Sequence, residues 1–476
     1  MNLQDWSVDR PADAVDLTLP GALDSLLRQY GGSRPDVLRN ILAHAFDLGA
    51  QSAVLEYRYL DADYRSEHSR FYSTTFRRYP SITHRLHFFA ERLPADLADS
   101  AVPAIFGNLG YLGYTILRPL PGAPVGRTML QPLKDARSHV LCQLVEDVNL
   151  LGERLTVTAS PFVSQDAQLS ICAHATLWMI GYYYHRLPPG GHRLLPSDIA
   201  DAVPDDVGRG TPSTGLSLFQ ISVAASRLGF PALVYGINPP PSGESMFRLA
   251  CRYLNSGLPV IVGGSGHVFV LIGYERVRAG SPDELIRFIR HDDEAGVYIA
   301  VDNYLFDDYS PWDYLIIPLP PKVYVSGEDA EAVGEVYLRQ ALDDAGTHAA
   351  AAELRRRLGV EPHEISFRST VMLSNSFKTD LSDRDVPADL AAVYRRMPMS
   401  RWIWVVEIVD RELRNLHQPC VLGEAIIDAT DHVRDRHVLS WRVPGSVSQW
   451  DPDSDAVSRR ELEPIPLLRS VAKANG

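Results

Sequence analysis

The sequence predicts an α+β protein, and three observations lead to that class. Between residues 151 and 325, helix-patterned segments come first and strand-patterned segments follow, the order of a two-part α+β fold. A polar, turn-like run, Ser164-Gln165-Asp166-Ala167-Gln168, leads into an apolar, helix-capable stretch from Cys172 through Tyr184. Further on, short apolar runs such as Val260–Val262 and Val268–Tyr274 read as strands, with a glycine-rich turn between them.

The 476 residues suffice for two or three domains, each with an adequate core. Apolar residues make up 45% and charged residues 22%, an ordinary globular balance. A net charge of -13 argues against a nucleic-acid partner, which calls for a basic balance or stripe. The dense arginine clusters are Arg77-Arg78 and Arg355-Arg356-Arg357, and the second follows an Ala/Leu pattern that reads as a solvated helix face. No apolar run approaches the roughly 18–20 residues that span a bilayer, so no membrane partner is expected. Met1–Pro20 is polar and acidic and lacks a signal-peptide core. Cys142, Cys172, Cys251 and Cys420 are far apart and show no CxxC spacing, which argues against a disulfide framework or a cysteine-based zinc site. The expectation is a cytoplasmic protein with free thiols.

Residues 1–49 read as mainly helical, from the spacing of Leu23, Leu26, Leu27, Val37, Leu38, Ile41 and Leu42. Val54–Tyr59 alternates as a half-buried strand does, whereas Tyr79–Glu91 mixes aromatic and basic residues and reads as helix. Phe106–Leu117 reads as turn and strand, ended by Pro119, Pro121 and Pro124. Residues 1–150 are therefore expected to be an N-terminal α/β region, without an assigned role.

In the second region, 151–325, the pattern gives a strand near Leu155–Thr158 and a helix from Cys172. A helix over about Gly215–Leu228 follows, capped by Gly229, then a strand at Pro231–Tyr235 and a helix at Ser245–Asn255. Strands are expected at Val260–Val262, Val268–Tyr274, Tyr298–Asp302 and Tyr314–Pro318. Residues 326–476 open with a helical stretch, Ala330–Leu358, and continue with strands at Ile365–Leu373, Trp402–Val409, Val421–Ile427 and Val438–Val443. The last thirty or so residues, rich in Pro, Ser and Asp, read as loosely ordered.

The chemistry points to the second region. A cysteine at a helix N-terminus faces the positive end of the peptide dipoles, which favours the thiolate nucleophile. Thiol catalysis also needs a histidine to exchange the proton, an acceptor to orient it, and donors for the oxyanion. Cys172 is the candidate nucleophile, and its own N–H could serve the oxyanion. Gln165, seven residues earlier, is the candidate side-chain donor, with Gln168 as a competitor. His267 stands where a glycine-rich turn enters an apolar strand, which would hold its ring. Asp302 ends the next predicted strand, and if the two strands are neighbours it can accept from the second ring nitrogen. Asn303 competes with it, since adjacent strand residues face opposite sides.

With these residues in place, the region resembles the papain-like cysteine peptidases of the C39-like group. The likeness rests on Pro161–Gln165, Cys172 with its small-residue helix, Gly215-Leu216-Ser217, and Leu228-Gly229-Phe230. It continues through Leu254–Val262, His267–Tyr274 and Val301-Asp302, and covers roughly residues 155–320. The resemblance implies a papain-like core, with a helix bearing the cysteine packed on an antiparallel sheet bearing the histidine and aspartate. It implies a peptidase acting on a protein or peptide through nucleophile Cys172, base His267, orienting Asp302 and oxyanion donor Gln165. Where the family often has Gly-Pro after the cysteine, this chain has Ala173-His174.

No cofactor or metal is expected. A zinc site of Cys172, His174 and His267 is disfavoured because residues two apart on a helix diverge. The same machinery would serve an acyl or amide transferase, transglutaminase-like, or a deamidase, and a catalytically silent peptidase-like binding module is the non-enzymatic alternative. The flanking regions, 1–150 and 326–476, are the candidate surfaces for an oligomer or a partner protein.

Overall fold

The computed structural model describes residues 6, 8, 10–93, 106–134, 138–165, 172–186, 193–203, 216–237, 246–264, 266–276, 286–301, 312–346, 348–360, 364–416, 418–431, 438–451, 454–462 and 467–471. The chain divides into two compact units. The first comprises Met1–Pro241, Pro259–Val277 and Ile286–Pro318; the second comprises Ser242–Leu258, Arg278–Leu285 and Leu319–Gly476. Helices and antiparallel sheets make up both, in keeping with a mixed helix-and-sheet class.

The first unit contains a five-stranded antiparallel meander of Ala12–Asp16, Ser52–Tyr59, Thr83–Phe89, Tyr111–Leu117 and Val125–Leu130. The segment expected as helix at 79–91 is thus a strand, the central one. Every residue of Thr83–Phe89 is buried, so its two faces carry no apolar–polar alternation, and aromatic and basic residues mask the strand. Residues 1–49 do supply two helices, Ala22–Tyr30 and Pro35–Asp47.

The second sheet of this unit positions the candidate site. Its strands lie in the spatial order Gly296–Val301, Ile286–Asp292, His267–Arg276, Val260–Gly264, Tyr314–Pro318 and Ala232–Gly236, all antiparallel, with Ser138–Val140 also pairing to His267–Arg276. The long helix Cys172–Arg186 packs against the His267–Arg276 strand. The strand Ile286–Asp292 does not appear among the expected elements. Its insertion changes the neighbours: the histidine strand pairs with Ile286–Asp292, and Gly296–Val301 pairs with that strand in turn. The helix expected over Gly215–Leu228 appears as Leu218–Arg227, where Ser217 and Gln220 form a capping box. Gly229 follows at φ +91°, a conformation that suits glycine.

In the second unit a six-stranded meander runs Ile365–Leu373, Trp402–Asp410, Val421–Asp428, Val438–Val443, Ser446–Asp451 and Ala456–Glu461. The helix Gly327–Asp344 lies on the Val406 face, where Gly334 leaves no room for a Cβ. Phe377, Leu390, Tyr394 and Met397 pack on the other face, against Val405 and Val409. The last two strands fall where loose order was expected. Every residue of Ala456–Glu461 is exposed, so hairpin pairing to Ser446–Asp451 forms the strand with no apolar face to announce it.

Candidate active site

Cys172 is the first residue of a 15-residue helix that is buried on almost every side. Trp178, Tyr182 and Tyr183 are each at most 2% exposed and hold the helix in the core. Two hydroxyls fasten it further: Tyr182 donates to Glu146 at 2.8 Å and Tyr184 to the Pro318 carbonyl at 2.6 Å. The thiol therefore sits on a rigid element, at the end where the helix dipole is positive. Its side is nearly closed, at 9% exposure.

His267 begins its strand opposite Gly264, next to Gly266 at φ +79°. The ring Nε2 lies 3.1 Å from Asp292 Oδ1. The Cys172 thiol also hydrogen-bonds the ring. Burial works against a charged imidazole here, but the hydrogen bonds to Asp292 and Cys172 and the charges of Asp292 and Asp293 prevail and raise its pKa to about 10. The ring is thus an imidazolium through neutral pH.

Asp292 is itself tightly held. Its Oδ1 accepts from the backbone N–H of Glu294 at 3.0 Å and of Ala295 at 3.3 Å, and Oδ2 lies 3.3 Å from Arg290. Burial opposes its charge, yet the hydrogen bond and charge of His267, helped by Arg290, keep its pKa below the ordinary carboxylate value. The Arg290 guanidinium also stacks 4.5 Å from the centre of the Phe269 ring, and Trp312 meets Phe269 edge-on at 4.7 Å and lies 6.4 Å from the His267 ring.

An open cleft of about 200 Å³ runs beside these groups. Cys172, Ala173, Leu216, Leu218, His267 and Tyr314 are among its lining residues. Gly263 lets the Tyr314 ring lie close: a Cβ there would come within 2.4 Å of it. His174 points elsewhere and lines a small recess with Glu67 and Trp178, so it does not join Cys172 and His267 in a ligand set.

The predicted site residues are therefore placed as follows. Cys172 and His267 come together. Asp302 and its competitor Asn303, like Gln168, lie outside the described residues. Among the described residues the carboxylate hydrogen-bonded to His267 is Asp292, which the sequence pattern did not single out because the strand carrying it was not recognised. The signal was present in Ile286-Arg287-Phe288-Ile289-Arg290-His291-Asp292, an alternating run ended by an Asp-rich turn. Gln165 is 9% exposed and donates its Nε2 to Glu294 Oε1 at 2.5 Å. It is not among the described residues lining the cleft.

Beside the dyad stands Asp293, 1% exposed, with neither carboxylate oxygen hydrogen-bonded to a described residue. Burial, with the charges of Asp292 and Glu294 adding to it, outweighs the pull of His267 and raises its pKa to about 7. His267, Asp292 and Asp293 each offer a ligand atom, all within 4.8 Å of one another. Ligand atoms of this set are already engaged, His267 Nε2 with Asp292 Oδ1 at 3.1 Å and Asp292 Oδ2 with Arg290 at 3.3 Å.

No family model and no curated protein matches this sequence. Among solved structures, the crystal structure of UfSP from C. elegans aligns with 40% of this chain and about a third (35%) of its own length, at 16% identity and a TM-score of 0.23. At that level of overlap the likeness defines neither fold nor activity.

Proposed function

We propose that this chain is a cysteine hydrolase, a papain-like peptidase of the C39-like kind, that cuts a peptide or isopeptide bond. One observation carries the reading: a helix-start thiol, an imidazolium and a buried carboxylate are linked in sequence at the edge of an open cleft. In this mechanism Asp292 takes the orienting role and holds the Nε2 side of His267, so that Nδ1 serves the sulfur. The reacting form is the ion pair in which the Cys172 proton resides on His267; the Cys172 thiolate attacks the carbonyl carbon, and the new oxyanion is held by the Cys172 N–H and the Gln165 amide. His267 gives its proton to the leaving nitrogen as the C–N bond breaks, leaving a thioester. Water then attacks the thioester carbon, His267 takes a proton from it, and C–S cleavage releases the acid and restores the starting pair.

The experiment is alkylation by iodoacetamide, followed cysteine by cysteine with mass spectrometry. Cys172 should react much faster than Cys142, Cys251 and Cys420 in the native protein, and His267→Ala should slow it. Equal rates at all four cysteines would overturn the reading. A peptide-library digest with and without an added amine then separates hydrolysis from acyl transfer, since only the second nucleophile differs.

A further inference from the structure

The turn that joins Ile286–Asp292 to Gly296–Val301 carries more than the carboxylate of the dyad. Asp292 opens it and closes it on itself through two backbone N–H groups. Two residues later Glu294 reaches the loop ahead of the nucleophile and takes the Gln165 amide at 2.5 Å. A carboxylate is an acceptor only, so the Gln165 side chain must present its NH₂ end to it. That contact removes the usual freedom of an amide to turn its oxygen inward, where it would repel a developing oxyanion. It uses one of the two Nε2 hydrogens, so the second is the one that can serve an oxyanion.

We propose that Glu294 is a positioning residue of the oxyanion site: it fixes the orientation of the Gln165 amide and ties it to the same turn that supplies Asp292. The proposal rests on the cysteine-hydrolase reading. The short turn explains the economy of the arrangement, since one rigid loop sets both the histidine partner and the oxyanion donor. Charge-assisted bonds of this kind are short and directional, which suits a positioning role even at the rim of a site.

The test compares two reactions of the full-length protein. Alkylation of Cys172 by iodoacetamide passes through no oxyanion, whereas acylation by p-nitrophenyl acetate does. Glu294→Ala should slow acylation by roughly 10- to 100-fold, below the roughly 100- to 1000-fold loss of an oxyanion donor because the amide is misaligned and not removed, and leave alkylation within about twofold of wild type. Gln165→Ala should slow acylation at least as much and spare alkylation likewise, and the double variant should be no slower than Gln165→Ala alone, because the two residues act as a unit. Glu294→Gln keeps an acceptor oxygen and should recover part of the acylation rate, which guards against a folding defect in the alanine variant. Wild-type acylation in Glu294→Ala, an equal loss in both reactions, or additive losses in the double variant would overturn the proposal. Failure of the underlying reading looks different: Cys172 in the wild-type protein would then show no preferential alkylation.

Discussion

Each of the two units buries a network of acids and bases, and the two networks are built for opposite ends. In the second unit Glu424 accepts from Tyr394 at 2.5 Å, from Arg384 at 2.6 Å and from Arg442 at 3.4 Å. Glu407 accepts from Ser470 and from the backbone of Val471 and lies 3.6 Å from Arg384. Arg384, at 3%, is the most exposed of the four charged side chains, and two cations balance two anions. Such a cluster has nowhere to move a proton and nothing to meet, so its work is to hold the sheet to the helices. In the first unit His267 keeps 22% of its side chain exposed beside an open cleft, and one neighbouring carboxyl, Asp293, has no described partner. Ionisable groups are thus found buried in both places, and each network leaves some polar atoms without a described partner, Asp293 in the first and guanidinium nitrogens of Arg384 and Arg442 in the second, so the one poised for chemistry is distinguished by its opening to solvent.

The largest expected effect lies at the partly open network. Asp292→Asn keeps the size of the side chain but removes the charge that stabilises the imidazolium. A loss of about 10²- to 10⁴-fold in acylation rate is expected, by analogy with orienting aspartates of catalytic triads. The pH dependence moves with it. His267 loses its proton only as pH approaches about 10, so the alkaline limb of the wild-type profile should lie there. Since Asp292 holds that pKa up, the limb in Asp292→Asn should shift toward neutral pH. A limb that stays in place would show that Asp292 does not govern the histidine.

The sealed network should respond in stability and not in reactivity. Glu424→Gln leaves Arg442 buried without its carboxylate and Arg384 with Glu407 alone at 3.6 Å, and breaking a buried pair in this way costs on the order of 3–5 kcal/mol. Denaturant unfolding should show that loss, while iodoacetamide should alkylate Cys172 at the wild-type rate in the protein that remains folded. A selective loss of Cys172 reactivity in the folded variant would break the division of labour between the two networks.

How far the sequence carried the site follows from the same contrast. Cys172 and His267 were legible because each sits at a punctuation mark, one where polar turn gives way to apolar helix, the other where glycines give way to an apolar strand. Asp292 was not, because its place beside His267 depends on which strands are neighbours, and Asp302 lies outside the described residues. The strand Ile286–Asp292 that carries Asp292 was not recognised, and strand order is a tertiary fact that local pattern does not encode. The misread strand at Thr83–Phe89 failed for a related reason, since burial on both faces erases the period of two. The sealed cluster of Arg384, Glu407, Glu424 and Arg442 was invisible altogether, because charged residues in strands read as solvent-facing until their partners are known.

The smallest predicted effect sets the two buried carboxyls against each other. Glu424 is held down to about 2, chiefly by Arg384 and Arg442 against the cost of burial, so its stabilising contribution is present above the unfolded value and is lost as pH falls. Asp293 behaves oppositely. Its pKa is raised to about 7 in the fold, so the native protein binds a proton there that the unfolded chain has already released. Stability is therefore lost as pH rises from the unfolded aspartate value, about 4, to about 7, where the native carboxyl ionises. Asp293→Asn stays neutral throughout and should flatten that segment of the stability profile, leaving the variant more stable than wild type at pH 8. Thermal unfolding of both proteins across pH 4–8 measures the difference. Parallel profiles would mean that Asp293 is satisfied in the fold.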